Sequence, residues 1–226
     1  MKIIGMVIAD DNEFVPVENF AKSMGAVEYT YNSDKTLEFK IDDKTVICAL
    51  CGIGKVNAAN SAAALIYGKG VECIINFGLS GAISKLRKGE LAVGVKYVEH
   101  DFDLTPIGYK PGIKPQEKSI YTPDKTLYDA VQKASGGMTD AVLVSGDMFV
   151  SDRNKKQFLV ENFGANACDM ESAAIASVCN KADVPFISFR SISDDADDSA
   201  VETYTAQNDK KQADMSEIAF AAVKML

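Results

Sequence analysis

Short apolar runs of strand length recur along this chain, and most are followed by a segment with helical spacing. Residues 2–9, 71–76, 91–98, 141–145 and 185–194 read as buried strands, the first of them as a parallel-type strand. Residues 36–41 and 45–51 alternate and read as a hairpin around Asp42-Asp43. Helices are expected after the polar break at residues 10–13 through Met24, over 56–68, 127–134 and 153–163, after Glu171, and over about 207–226. In the second of these, Val56, Ala59, Ala63 and Ile66 are expected to form the buried face. Strand–helix alternation of this kind predicts an α/β fold: a mixed, mostly parallel sheet with helices on both sides.

No Pro/Gly/Ser linker and no internal repeat divides the 226 residues, so residues 1–226 are expected to form a single domain. The net charge is −8 and there is no long basic run, which argues against a nucleic-acid partner. Residues 2–9 are too short and run too directly into Asp10-Asp11 to be a signal peptide, and no apolar run is long enough to cross a membrane. The five cysteines lie in apolar strand or helix patterns, so a reduced, cytoplasmic protein is expected. Cys48 and Cys51 form a CxxC, but residues three apart in a strand face opposite sides, which suits two core thiols and not a redox pair. With one histidine and no second CxxC, no zinc ligand set is available.

The stretch 168–179 starts extended, turns polar at Asp169 and Glu171, and then places Ala174, Ile175, Val178 and Cys179 on a helical face. Acids at such a corner can simply cap a helix, whose first N–H groups favour negative charge. The next strand, however, ends in Ser193-Asp194, and acids at neighbouring strand ends meet where α/β sheets bind ligands. Gly52-Ile53-Gly54-Lys55 fits neither a P-loop nor the dinucleotide fingerprint and reads as a close strand-to-helix turn. Gly78-Leu79-Ser80-Gly81 reads as a small-residue turn after its strand, open to the close approach of a ligand. Residues 105–122 form a long loop with Pro106, Pro111 and Pro115, a length usually tied to function. The acidic run 194–198 lacks the pattern of a calcium loop, and His100 belongs to no defensible triad.

Taken together, Asp10-Asp11-Asn12-Glu13, Gly52-Ile53-Gly54-Lys55-Val56, Gly78-Leu79-Ser80-Gly81, Ser145-Gly146-Asp147-Met148-Phe149-Val150, Asp169-Met170-Glu171-Ser172-Ala173-Ala174 and Arg190-Ser191-Ile192-Ser193-Asp194 occur in an order that resembles the 5'-methylthioadenosine/S-adenosylhomocysteine nucleosidases of the nucleoside phosphorylase superfamily. The resemblance implies hydrolysis of an N-glycosidic bond without metal or cofactor. It implies that Glu13 is the general base for water, that Asp194 protonates N7 of the leaving adenine, and that Glu171, helped by Met170, holds the ribose hydroxyls. Phe149 and Val150 match the base-binding segment. Ile53 and Tyr204 match apolar lining; Leu79, Ser80, Gly81, Asp169 and Ser193 complete the expected substrate contacts. The segment His100 to Tyr109 resembles a loop lent by a homodimer partner, with Leu104 and Ile107 reaching the alkylthio pocket. Leu79 stands where many relatives carry a hydroxyl, so Ser80 would have to compensate, and Asp169 stands where some carry Glu.

The chemistry asks for the same residue types. Breaking a glycosidic bond builds positive charge on the sugar and negative charge on the base, so an acid must serve the base while a carboxylate takes the water's proton. Asp194 has to keep or share a proton near neutral pH, which a site beside Asp197 and Glu171 would favour. Three alternatives stay open: a purine nucleoside phosphorylase, disfavoured because the turn at residues 10–13 is acidic; a futalosine-type nucleosidase; and a non-catalytic nucleoside binder.

Overall fold

The computed structural model describes residues 1–196 and 209–226, with the backbone alone for 209–213. In chain order the elements are β1 (Ile3–Ile8), α1 (Asp11–Ser23), β2 (Val27–Tyr31), β3 (Asp34–Ile41), β4 (Lys44–Leu50), α2 (Lys55–Lys69), β5 (Cys73–Ala82), β6 (Leu91–Glu99), β7 (Ile120–Tyr121), α3 (Lys125–Ser135), β8 (Thr139–Ser145), α4 (Arg153–Phe163), β9 (Ala167–Asp169), α5 (Ser172–Ala182), β10 (Phe186–Asp194) and α6 (Asp209–Met225).

The strands make one mixed sheet. Its centre, β4-β1-β5-β10, is parallel, and its outer edge is the antiparallel β2-β3-β4 meander. Beyond β5 the sheet curls: β5 pairs β10, β10 pairs β6, β6 pairs β8, β8 pairs β9, and β9 returns to β5, closing a small barrel. Helices α1, α3 and α6 bury one face through Phe14, Val17, Leu127, Val131, Met215 and Phe220. Helices α2 and α5 bury the other through Ala58, Leu65, Ile175 and Cys179. Leu159 of α4 packs with Val144 and Val150 at the barrel end. Cys48 and Cys51 fall into the two opposite core layers, and burial pushes the Cys48 thiol far above its usual range.

Three expectations change. The break at residues 10–13 is already helix: Asp10 caps α1 by accepting from the Asn12 N–H at 2.8 Å, which places Glu13 in the first turn. The buried face of α2 is Ala58, Ser61, Ala62, Leu65 and Ile66, whereas Val56 is 77% exposed. An alanine-rich helix has little contrast around its circumference, so its periodicity does not select a face. Finally, Phe77-Gly78-Leu79-Ser80-Gly81 is not a turn. It is the second half of β5, paired along β10 up to Gly81 opposite Asp194. Its glycines serve close approach: a Cβ on Gly78 would lie 2.6 Å from Arg190 Nη1 and 2.9 Å from both Glu13 carboxylate oxygens, and one on Gly81 would lie 2.9 Å from Asp194 Oδ1.

This long strand creates the opening. On one edge β1 pairs β5 only as far as Asn76, and β9 takes over at Gly81. Among the described residues no strand covers positions 77–80 on that edge. The C-terminal ends of β1 and β9 fork apart there and leave a gap in the middle of the sheet.

Candidate active site

A cavity of about 230 Å³ occupies the fork. It is lined by Ala9, Asp10 and Glu13 from the end of β1 and the start of α1, by Ile53, by Leu79, Ser80 and Gly81 of β5, and by Met148, Phe149 and Val150 after β8. Cys168, Asp169, Met170 and Glu171 from the β9–α5 corner and Ser193 and Asp194 of β10 complete the lining. Leu104 and Ile107 do not line it; Ile107 sits on the exposed loop, 68% accessible. Tyr204 and Asp197 lie outside the described residues.

Each carboxylate is held by the local fold. The N–H of Leu79, left without a strand partner at the fork, donates to Glu13 Oε1 at 2.8 Å. Glu13 is 6% exposed, and burial pushes its pKa up to about 8, against the pull of Arg190 and the Leu79 N–H and with a smaller upward push from Glu171 and Asp10. Glu171 stands at the N-cap of α5 but caps nothing with its side chain. Its Oε1 instead accepts from the Gly54 N–H at 3.0 Å, and burial raises its pKa, with Arg190 opposing and Asp169 adding. Asp194 follows a register shift between Ile192 and Asp194, a bulge of the kind that re-aims a side chain. Its Oδ2 accepts from Ser193 Oγ at 2.6 Å and its Oδ1 from the Ala196 N–H at 2.8 Å.

Asp169 is committed elsewhere. Its Oδ1 accepts from Ser145 Oγ at 2.6 Å and from the N–H groups of Glu171 and Ser172 at 3.0 Å, so it is the cap of α5. Its Oδ2 accepts from Ser172 Oγ at 2.6 Å and lies 3.2 Å from Arg190 Nε, an ion pair without hydrogen-bond alignment. Arg190, 1% exposed, also donates from Nη2 to Asn76 Oδ1 at 2.6 Å. Arg190 was absent from the expected site, yet it is the counter-charge behind Glu13 and Glu171. An arginine inside a nine-residue strand that is buried throughout was the signal for it, since such a charge needs partners. Ser80 Oγ is buried at the cavity wall with no hydrogen-bond partner among the described residues, whereas Leu79 packs its side chain on the core.

His100 lies outside the cavity, buried against Gly146, and burial pulls its pKa down to about 4. No group of residues among those described could hold a metal ion, and no described helix is long and apolar enough to cross a membrane.

The arrangement puts four buried acids, one of them (Asp169) already committed to capping α5, and an orphan hydroxyl on one wall system and an apolar slot of Met148, Phe149 and Val150 on another. That suits a ligand with a flat apolar part and a polyhydroxy part. A family model described as "Phosphorylase superfamily" matches residues 3–224. The chain is 36% identical over 191 residues to the 5'-methylthioadenosine/S-adenosylhomocysteine nucleosidase of Shewanella piezotolerans, covering 78% of this chain and 83% of that protein. It is 34% identical over 170 residues to the aminodeoxyfutalosine nucleosidase of Helicobacter pylori, covering 73% of each. The fold superposes with a TM-score of 0.95, at 28% identity, on the crystal structure of the Helicobacter pylori 5'-methylthioadenosine/S-adenosylhomocysteine nucleosidase with butyl-thio-DADMe-Immucillin-A, over 100% of this chain and 99% of that one.

Proposed function

The chain belongs to the phosphorylase superfamily and is a nucleosidase, an N-glycosyl hydrolase, and on that premise we propose that it releases adenine from 5'-methylthioadenosine or S-adenosylhomocysteine. The observation that carries this reading is the meeting of Glu13, Glu171 and Asp194 on one cavity whose lining, among the described residues, includes no lysine or arginine. Phosphate as nucleophile would need such cations, and the acids would repel it. Water needs only a base.

In this reading Glu13 takes the proton of the attacking water, and Arg190 and the Leu79 N–H keep its carboxylate within reach of ionisation. Glu171 holds the ribose hydroxyls beside Met170 and stabilises the cationic sugar. Asp194, steadied by Ser193 and the Ala196 N–H, gives its proton to the purine leaving group. Phe149 stacks on the base while Val150 meets it with its backbone; Ile53 covers the nucleoside. The free hydroxyl of Ser80 takes the place of the one Leu79 lacks. Asp169 acts at one remove, by capping α5 and holding Arg190.

The test is ultraviolet-monitored adenine release on a panel of methylthioadenosine, S-adenosylhomocysteine and aminodeoxyfutalosine, with and without phosphate. Release without phosphate is expected. Dependence on phosphate, with the 5-substituted ribose 1-phosphate (5-methylthioribose 1-phosphate from methylthioadenosine) as product, would sink the hydrolase. Preference for the third substrate would favour the second reading, aminodeoxyfutalosine hydrolysis, which the Helicobacter relative supports.

Leu104 and Ile107 serve the cavity of a second copy in this proposal. Exposed Ile53, Val56, Phe149 and Ile107 support it as apolar surface wanting a cover. Sedimentation at micromolar concentration should give the mass of two chains; a monomer that is fully active would end this part of the proposal.

A further inference from the structure

The cavity has two walls that no secondary structure joins: the turn 52–55, which carries Ile53 and the Gly54 N–H that holds Glu171, and the segment 146–150, which carries Met148, Phe149 and Val150. Asp147 ties them together. Its Oδ1 accepts from the Lys55 N–H at 2.7 Å, at the start of α2. Its own N–H donates to Asp101 Oδ2 at 3.0 Å. Asp101 Oδ1 in turn accepts from Lys55 Nζ at 2.6 Å, so the three residues close a ring. Lys55 Nζ also reaches Glu99 Oε2 at 3.2 Å, which anchors the ring to the end of β6. Gly54 is shaped for this contact: its φ is 103°, and a Cβ there would meet Asp147 Oδ1 at 3.1 Å.

Asp147 is exposed and touches no part of the cavity itself, so its effect must run through its neighbours. Val150 is held in the core, but Phe149 is 44% exposed and Met148 42%, so the core fixes only the far end of this wall. We propose that Asp147 is a positioning residue: with Lys55 and Asp101 it sets the distance between the purine-facing wall and the turn that orients Glu171. This rests on the nucleosidase reading for what fills the gap, but the clamp itself is a property of the two walls.

The test compares Asp147→Ala, Asp147→Asn and Lys55→Met by steady-state adenine release from methylthioadenosine and by calorimetric titration with adenine alone. Asp147→Ala should raise KM and the adenine Kd by about tenfold, the factor one ordinary hydrogen bond carries, with a smaller change in kcat. Asp147→Asn keeps an acceptor for the Lys55 N–H and should recover most of the loss. Lys55→Met keeps the backbone contact to Asp147 and removes the side-chain links to Asp101 and Glu99, so it should fall between the two. It also serves as the test if Asp147→Ala does not fold. Unchanged KM and Kd, even with a lowered Tm, would overturn the proposal, as would an Asn variant no better than Ala. A wild type that binds adenine but turns over no thio-nucleoside would remove the functional reading alone, because the titration still reads the clamp.

Discussion

Asp194→Asn should slow adenine release from methylthioadenosine by about 10²–10⁴-fold, the usual range for losing a general acid, with little change in Tm. The substitution keeps size and shape. Its carbonyl can still accept from the Ala196 N–H, and its amide can turn to donate to Ser193 Oγ. What it cannot do is give up a proton in concert with bond breaking. Stopped or continuous ultraviolet assays at saturating substrate read the effect on kcat. A variant within a few-fold of wild type would show that the leaving adenine gets its proton elsewhere, and the role given to the end of β10 would be lost.

The second large effect concerns Glu13 and has two readouts of opposite sign. Glu13→Gln should lose activity by a similar factor, since an amide accepts no proton from water. It should also stabilise the fold at high pH. Burial raises the pKa of Glu13 from an ordinary 4.5 to about 8, so the folded chain holds its proton more tightly than the unfolded chain. The resulting stabilisation is complete below about pH 4.5 and is lost as pH climbs through 8. Above that the wild type carries a buried carboxylate and the glutamine variant does not. The stability gap should therefore widen with pH, by roughly 1.4 kcal/mol per unit across the window, which amounts to several degrees in Tm at pH 9 and little at pH 5. Glutamine keeps an acceptor for the Leu79 N–H, so the comparison isolates the charge. In the proposed role as base the same carboxylate has to be ionised, and kcat/KM of the wild type should then rise with pH toward a plateau above about 8. A flat Tm difference between pH 5 and pH 9 would mean that Glu13 is not buried in the way described.

Both effects come from one feature, the uncovered edge of β5 between β1 and β9. A backbone N–H stranded at that edge is free to hold Glu13. The same edge lacks side chains at Gly78 and Gly81, which lets Arg190, Glu13 and Asp194 crowd against it. The cost of burying the acids is offset by Arg190, whose own burial is offset by Asp169 and Asn76.

The acids themselves could be found in the chain. Glu171 at a strand-to-helix corner and Asp194 at the end of an apolar strand announce their position through local pattern alone, because hydrophobic runs and their polar ends record burial over a few residues. The glycine run reads as a turn for the same reason: Gly78 and Gly81 have the composition of one, and only the neighbouring β10 and the incoming carboxylates show that they are a crowded strand. The role of Arg190 is not legible in the sequence, because a charge inside a strand has meaning only beside its partners, and Asn76 and Asp169 are far away in the chain.

By itself, then, the order of residues determined the α/β alternation, the strand ends that carry Glu171 and Asp194, and the family resemblance that singled out Glu13. Tertiary structure alone decided where those ends meet. The curl of β6, β8 and β9 back onto β5, the fork that opens the cavity, the elevated pKa of Glu13 and the clamp at Asp147 all depend on which backbone edge or charge lies next to which. Periodicity along a chain carries information about inside and outside, whereas the neighbour across a gap is set by strand pairing between segments remote in sequence.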